Sequence, residues 1–340
     1  MLKLFNQSIG RRRLTKTRTL ISGLAASAAV ITMLALAVAP ARAGGRSFVF
    51  SSIDFPGATF TQAFGIDAGG KVVGVYRDAT GKQHGFLWSG ETFTSIDFPG
   101  AAATDARGTS PRGDIVGTYR QAGEPGLNFH GYLLTRHGEF FRVDFPGHIS
   151  TIAQRILADG TILGCYHDTD IMGTMYSMVA SREGCREFDF SGFDRATTMH
   201  TGATPDGEKI VGLFTDMTTG TPRSRGYLLD GPNFIPFDVP GSTLTSAYDI
   251  NRSEQIVGFY RDAAGTFHGF LSEDWHFTAI DVPGATATRV FGINSGGDVT
   301  GLYVDASLTT HGFVGSRTHG HHRHATSATA MIATATMIEG

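Results

Sequence analysis

The chain has 340 residues, 41% of them hydrophobic, with 28 Lys and Arg against 31 Asp and Glu and a formal net charge of −3. Seven of the basic residues fall in 1–43, so the remainder carries 21 against 31, a formal −10. That balance excludes a nucleic-acid binder, which needs a basic footprint, and suits an exported protein or one that gathers cations.

Residues 1–43 contain no acid. Arg11-Arg12-Arg13, Lys16 and Arg18 precede an uncharged run from Thr19 to Ala41, and Ala41-Arg42-Ala43 offers small residues at both cleavage positions before Gly44. This reads as a secretory signal peptide. The run is also long enough for an uncleaved anchor, but its Ala, Ser and Gly content and the cleavage pattern favour removal. Arg11-Arg12-x-Leu14-x-Lys16 approximates a twin-arginine export signal, without the usual Ser or Thr before the pair and with Leu for Phe. The expectation is a secreted or periplasmic monomer with no stable membrane span after cleavage.

From residue 44 the chain repeats. The motif I-D-F-P-G, or a variant of it, places aspartates at Asp54, Asp97, Asp144, Asp189, Asp238 and Asp281, spaced 43, 47, 45, 49 and 43 residues apart. Self-similarity at such a period signals a repeat architecture. The fullest copy, Thr61 to Ala101, holds four short alternating runs bounded by Gly, Asp or Pro, the pattern of half-buried strands joined by turns. These strands are named a to d. Gly69-Gly70 suits the tight a–b turn, and the Pro of DFPG ends strand d.

Six a-b-c units begin near Thr61, Thr104, Thr151, Thr198, Thr245 and Thr288, and five are followed by their own strand d. The sixth ends at His311–Ser316 without one, while an orphan strand, Phe48–Pro56, stands at the start. The count balances if the orphan completes the last unit, an offset that latches a closed ring. The fold expected is all-β: a six-bladed β-propeller of four-stranded blades over residues 44–316. A parallel β-helix has coils about half this length.

The repeat resembles the bacterial HAF repeat family, the extracellular repeat proteins. The residues that carry the resemblance are the G-I-[DN]-x-x-G turns (Gly65 to Gly70, Gly292 to Gly297), the V-G-x-Y core of strand b (Val73 to Tyr76, Val257 to Tyr260) and the H-G-F motif (His84 to Phe86, His268 to Phe270, His311 to Phe313). The resemblance implies an exported repeat protein and brings no established activity or catalytic residue. Blade three departs from it, with RILADG for the turn and Tyr176 at the His position; blade four has Arg225 there and Ser191 for the proline.

Polar residues recur with the repeat. His84, His130, His268 and His311 open strand c, and Asp78, Asp168, Asp216, Asp262 and Asp305 close strand b, with Gln121 in that place in blade two. They can be read as a ring of ligands or acid–base groups. A His–Asp hydrogen bond made once per blade explains them more simply. The DFPG aspartates are expected to bond turn amides. The b–c loops vary in length and sequence and gather on one face, so binding is placed there, with Asp78, Asp168, Asp170, Asp216, Asp262 and Asp305 as candidates. Asp168 and Asp170, beside Met172, Met175 and Met178, offer two carboxylates to Ca²⁺, although the regular ligand spacing is missing and a solvated loop suffices.

Past Ser316 the pattern stops. His319, His321, His322 and His324 could hold Zn²⁺ or Ni²⁺, but 317–340 reads chiefly as an unstructured tail. No cofactor is expected. Cys165 and Cys185 lie on strands b and d of blade three, about 9–10 Å apart across strand c, beyond bridging reach, and are expected as two buried thiols. No G-x-S-x-G elbow, H-E-x-x-H site or P-loop is present. The leading expectation is a binding module for an extracellular ligand or protein. The second is a hydrolase or lyase acting on polysaccharide or a small ester at the central channel. An asymmetric polar cluster with shifted pKa values at a channel mouth would favour the enzyme; a repeating small or apolar lining would favour the module.

Overall fold

Alternating runs cut by glycine turns become strands throughout the computed structural model. It describes residues 47–124, 128–167, 175–181, 183–188, 197–218, 220–318, 331–334 and 336–337. Among them there is no helix, hence none long and apolar enough to cross a membrane. The expected signal peptide, Asp168, Asp170 and the four tail histidines lie outside the described residues.

The strands form six antiparallel sheets, each running a-b-c-d. In blade one these are Phe60–Ile66, Val72–Arg77, Gln83–Trp88 and Phe93–Ile96. Neighbouring blades pack face to face. Val73 and Ile96 of blade one join Ala106, Ile115, Tyr119 and Tyr132 of blade two in one buried cluster. The chain is a six-bladed β-propeller.

The ring closes as the strand count required. Ser47–Ser52 pairs antiparallel with Thr310–Arg317, Phe48 opposite Arg317 and Ser52 opposite Phe313. Phe48 and Phe50 enter the core shared by blades five and six, while Ile53 packs with blade one. One N-terminal segment thus completes the last blade and seals it to the first.

The glycine of V-G-x-Y has a steric cause. A Cβ on Gly74, Gly117, Gly164, Gly212, Gly258 or Gly301 would collide with a strand-a carbonyl oxygen, that of Gln62, Asp105, Ile152, Met199, Ser246 or Arg289 respectively. Strands a and b approach too closely for any side chain there.

Two expectations change. The tail is not structureless throughout: Met331–Thr334 adds outside Ser47–Ser52, and Thr336–Met337 pairs with Thr278 and Ala279 of blade five. The outer edges of the d strands offer unpaired N–H and C=O groups, which an extended segment can satisfy. Cys165 is buried but Cys185 only half so, because strand d is outermost. Both thiols are free. Cys185 stands opposite Ala180, whose strand-b partner is Ile162, so the two cysteines are offset along the strands as well as separated by strand c.

Candidate functional site

The recurrent motifs build one structural unit per blade. The Phe of DFPG stacks on the V-G-x-Y tyrosine, Phe55 on Tyr76 at 3.6 Å and Phe98 on Tyr119 at 3.7 Å. The tyrosine's neighbour is the H-G-F histidine, as in Tyr76–His84 at 5.0 Å and Tyr303–His311 at 4.9 Å. Each histidine then bridges two acids. His84 meets Asp97 at 2.7 Å and Asp78 at 3.3 Å; His268 meets Asp281 at 3.0 Å and Asp262 at 3.4 Å; His311 meets Asp54 at 2.9 Å and Asp305 at 3.3 Å. In blade two, where Gln121 closes strand b, Glu124 takes the second place on His130 at 2.8 Å, opposite Asp144 at 3.1 Å. Blade four keeps the bridge with another cation, Arg225 between Asp238 and Asp216. In blade three Tyr176 stacks on Tyr166 in the histidine's place.

The DFPG aspartates therefore bond the histidine or arginine, and the turn amides go elsewhere. Thr61, Thr104, Thr151, Thr245 and Thr288 accept the amides of Phe55, Phe98, Phe145, Val239 and Val282. A hydroxyl six residues downstream reaches back over the turn, which the short motif did not reveal.

The candidate binding aspartates face their own loops. Asp78 Oδ1 accepts the amides of Thr80 and Lys82, and Asp305 Oδ1 those of Ser307 and Thr309. Hydrogen bonds from Thr80 and Thr218 hold Asp78 and Asp216 down at about 2, and backbone amides lower Asp262 and Asp305. Asp78, Asp216, Asp262 and Asp305 stand in four different blades, each folding a b–c turn, and are not brought together. Among the described residues no three His, Cys, Asp or Glu converge on a metal position.

The centre of the ring behaves differently. Every strand a carries a β-bulge at the same place, between Ala63 and Gly65, Ala106 and Gly108, Ala153 and Arg155, His200 and Gly202, Ala247 and Asp249, and Val290 and Gly292. A bulged residue leaves the ladder and is re-aimed. The six bulged residues are Phe64, Arg107, Gln154, Thr201, Tyr248 and Phe291; five of them touch side chain to side chain in a collar on the inner strands, while the Thr201 hydroxyl donates to the carbonyls of Val211 and Ala247. Tyr248 touches Phe291 at 4.7 Å, Phe291 touches Phe64 at 5.5 Å, Arg107 lies over Phe64 at 4.8 Å and donates to Gln154 at 3.1 Å. Arg107 is held by the buried Asp105 at 2.9 Å.

The channel has two mouths. Strand a begins beside the end of strand b (Thr61 opposite Tyr76) and ends beside its start (Ile66 opposite Val72). One mouth therefore lies among the b–c loops and the other among the a–b turns. The a–b mouth holds a cavity of about 400 Å³ whose lining mixes apolar Ile66, Ile156 and Ile250 with polar Arg155, Asn251 and Asn294. The residue after the bulge is glycine in four blades, where a Cβ would come within 2.6–2.8 Å of the neighbouring blade. In blades three and five it is Arg155 and Asp249, which pair at 2.8 Å across blade four. Asp249 also accepts the amides of Ile250 and Ile293. Burial pushes its carboxyl up to about 6 against Arg155 and those amides, which hold it down.

Fold and centre together define a six-bladed propeller with a regular scaffold and an irregular channel. No protein-family model matches the chain, and no curated protein matches it. Solved structures do. AofleA from Arthrobotrys oligospora aligns with a TM-score of 0.51 at 12% identity, over 84% of this chain and 91% of that one. The six-bladed fucose-recognising lectin of Aleuria aurantia aligns at 0.50 and 11%, over 76% and 93%. A protein described as of unknown function from Dyadobacter fermentans aligns at 0.50 and 12%, over 78% and 96%. At these identities the likeness is one of fold.

Proposed function

We propose that this chain is an exported repeat propeller, of the kind its HAF-like motifs resemble, that works as a binding module with its ligand seat in the central channel. One observation carries the reading. The bulge recurs in all six blades, yet the side chains it presents are of five kinds. On the same strands the blade-facing residue before the bulge is Ala in four blades. A purely structural centre would repeat as the rest of the blade does. Export rests on the N-terminal sequence pattern, and a periplasmic or extracellular location follows from it.

A catalytic reading draws on the asymmetric polar groups and on the raised carboxyl of Asp249. Binding is preferred because Asp249 is 1% exposed and both its oxygens are occupied, by Ile250, Ile293 and Arg155. It braces blades three, five and six, and its burial keeps it from a substrate.

The test is thermal-shift screening of the exported protein against oligosaccharides and small metabolites, with Phe64→Ala and Tyr248→Ala as channel variants and exposed Lys71→Ala as control. The expected result is a ligand that raises the melting temperature of parent and control but not of the channel variants. A ligand insensitive to both channel variants would reject the seat. A ligand recovered chemically altered would reject the module in favour of the hydrolase or lyase.

A further inference from the structure

Arg289 stands two residues before the bulged Phe291, at the b–c mouth. The equivalent residues of the other blades are Gln62, Asp105, Ile152, Met199 and Ser246, so no other blade has a cation there. The two other arginines of the inner strands are neutralised, Arg107 by Asp105 and Arg155 by Asp249. Among the described residues Arg289 has no carboxylate at ion-pair distance, and its Nε is buried without a hydrogen-bond partner.

Its contacts are rings. The guanidinium lies over Phe267 at 3.9 Å and Phe259 at 5.1 Å. Stacking covers the faces of a guanidinium and leaves its N–H bonds pointing outward in the plane. Burial pulls Arg289 below the usual guanidinium range, as expected for a half-buried cation without a counter-ion. Nε is out of a ligand's reach, but an anion on the terminal Nη groups, which no described carboxylate occupies, would supply what the fold does not.

The surroundings restrict the anion. Phe259 and Phe291 pack against Tyr248 at 5.5 and 4.7 Å and against each other at 5.9 Å. Tyr248, Phe259 and Phe267 are only half-buried. One uncompensated positive charge calls for a single negative charge, and the planar fork matches a carboxylate. A phosphate dianion would bring a second charge with no partner. A wall of ring faces favours a planar apolar body over a saccharide, whose hydroxyls need hydrogen-bonding partners.

We propose, resting on the channel as ligand seat, that its b–c mouth binds a small aromatic monocarboxylate, the carboxylate on the terminal Nη groups of Arg289 and the ring against Tyr248 and Phe259.

The experiment is calorimetric titration of the exported protein with benzoate, phenylacetate and indole-3-carboxylate. Benzamide serves as neutral isostere, and galacturonate and inorganic phosphate as competing anion chemistries. The aromatic carboxylates should bind, with benzamide about tenfold or more weaker. Arg289→Gln should cut carboxylate affinity about tenfold or more while leaving benzamide unchanged. Arg289→Lys, which keeps the charge and loses the fork, gives the same comparison if glutamine harms folding. Carboxylates that do not bind, or that bind Arg289→Gln as tightly as parent, overturn the proposal. Galacturonate, phosphate or a neutral sugar that binds and is lost in Phe64→Ala would overturn the ligand class and keep the channel seat. Binding unaffected by Arg289 and Phe64 variants alike would overturn both.

Discussion

His311 Nδ1 meets Asp54 Oδ2 at 2.9 Å across 257 positions of sequence. Asp54 follows the N-terminal strand and His311 opens the last strand c, so the motif pair that in blade one is made by neighbours, His84 and Asp97, here joins the two ends of the ring. The latch is thus a strand ladder, two buried rings and a hydrogen-bonded pair acting at one seam.

Deleting residues 44–57 should lower the melting temperature sharply or give aggregates. Phe48 and Phe50 are each 1% exposed, and burying each contributes about 1.5–3 kcal/mol against a typical domain stability of about 5–15 kcal/mol. The uncovered edge of Thr310–Arg317 would also invite pairing between molecules. Melting curves of the truncated and full exported chains decide it; equal midpoints would remove the latch as the basis of closure.

The seam should be pH-dependent. Burial pulls His311 down, but Asp54 and Asp305 outweigh it and raise the imidazole above 6.5. A raised folded value means a contribution fully present below the unfolded value and lost as pH rises through the folded one. His311→Gln should therefore cost more stability at about pH 5.5 than at about pH 8.5. A variant whose deficit is the same at both would show that the pair does not titrate.

Gly258→Ala should cost about 1–3 kcal/mol or more. Its Cβ would strike the carbonyl oxygen of Ser246 and lie 2.8 Å from the Phe270 ring. Gly241 has φ +74° and open space, so Gly241→Ala should cost only about 1–2 kcal/mol of backbone strain. Denaturant midpoints for both variants check the order, and a reversed order would contradict the close approach of strands a and b.

Denatured, unreduced protein should take up alkylating reagent at both cysteines. In the folded protein Cys185 should react well before Cys165, which is fully buried and whose thiol burial pushes up to about 12. Mass spectrometry after timed labelling separates the two. Protection of both thiols, reversed by reductant, would mean a bridge and a distorted blade three.

Much of the scaffold was readable because its causes are local and repeated. His84, Tyr76 and Asp78 recur at fixed spacing, and spacing is what a repeat exposes. The collar was not readable. Phe64, Gln154 and Thr201 share no chemistry, and a bulge appears only once strand register is known, since it is one extra residue on one side of a ladder. Arg289 was passed over for the same reason: that no described carboxylate pairs with it depends on which blades sit beside it. Asp78, Asp216, Asp262 and Asp305 fold their own loops, and a carboxylate at a loop looks alike from sequence whether it does that or waits for a ligand.

The bulge separates two kinds of selection within one strand. The blade-facing residues answer to packing, and changing one disturbs two sheets. The bulged residue makes no ladder pair, so its replacement leaves the sheets' hydrogen bonding as it was. Copying a blade thus multiplies the scaffold while leaving one free choice in each copy. Six such positions meet round the axis, and on the proposed channel seat a different combination would give another specificity on the same frame. A library randomised at 64, 154, 248 and 291 would sample those specificities while keeping Arg107 on the buried Asp105 and Thr201 on the carbonyls of Val211 and Ala247.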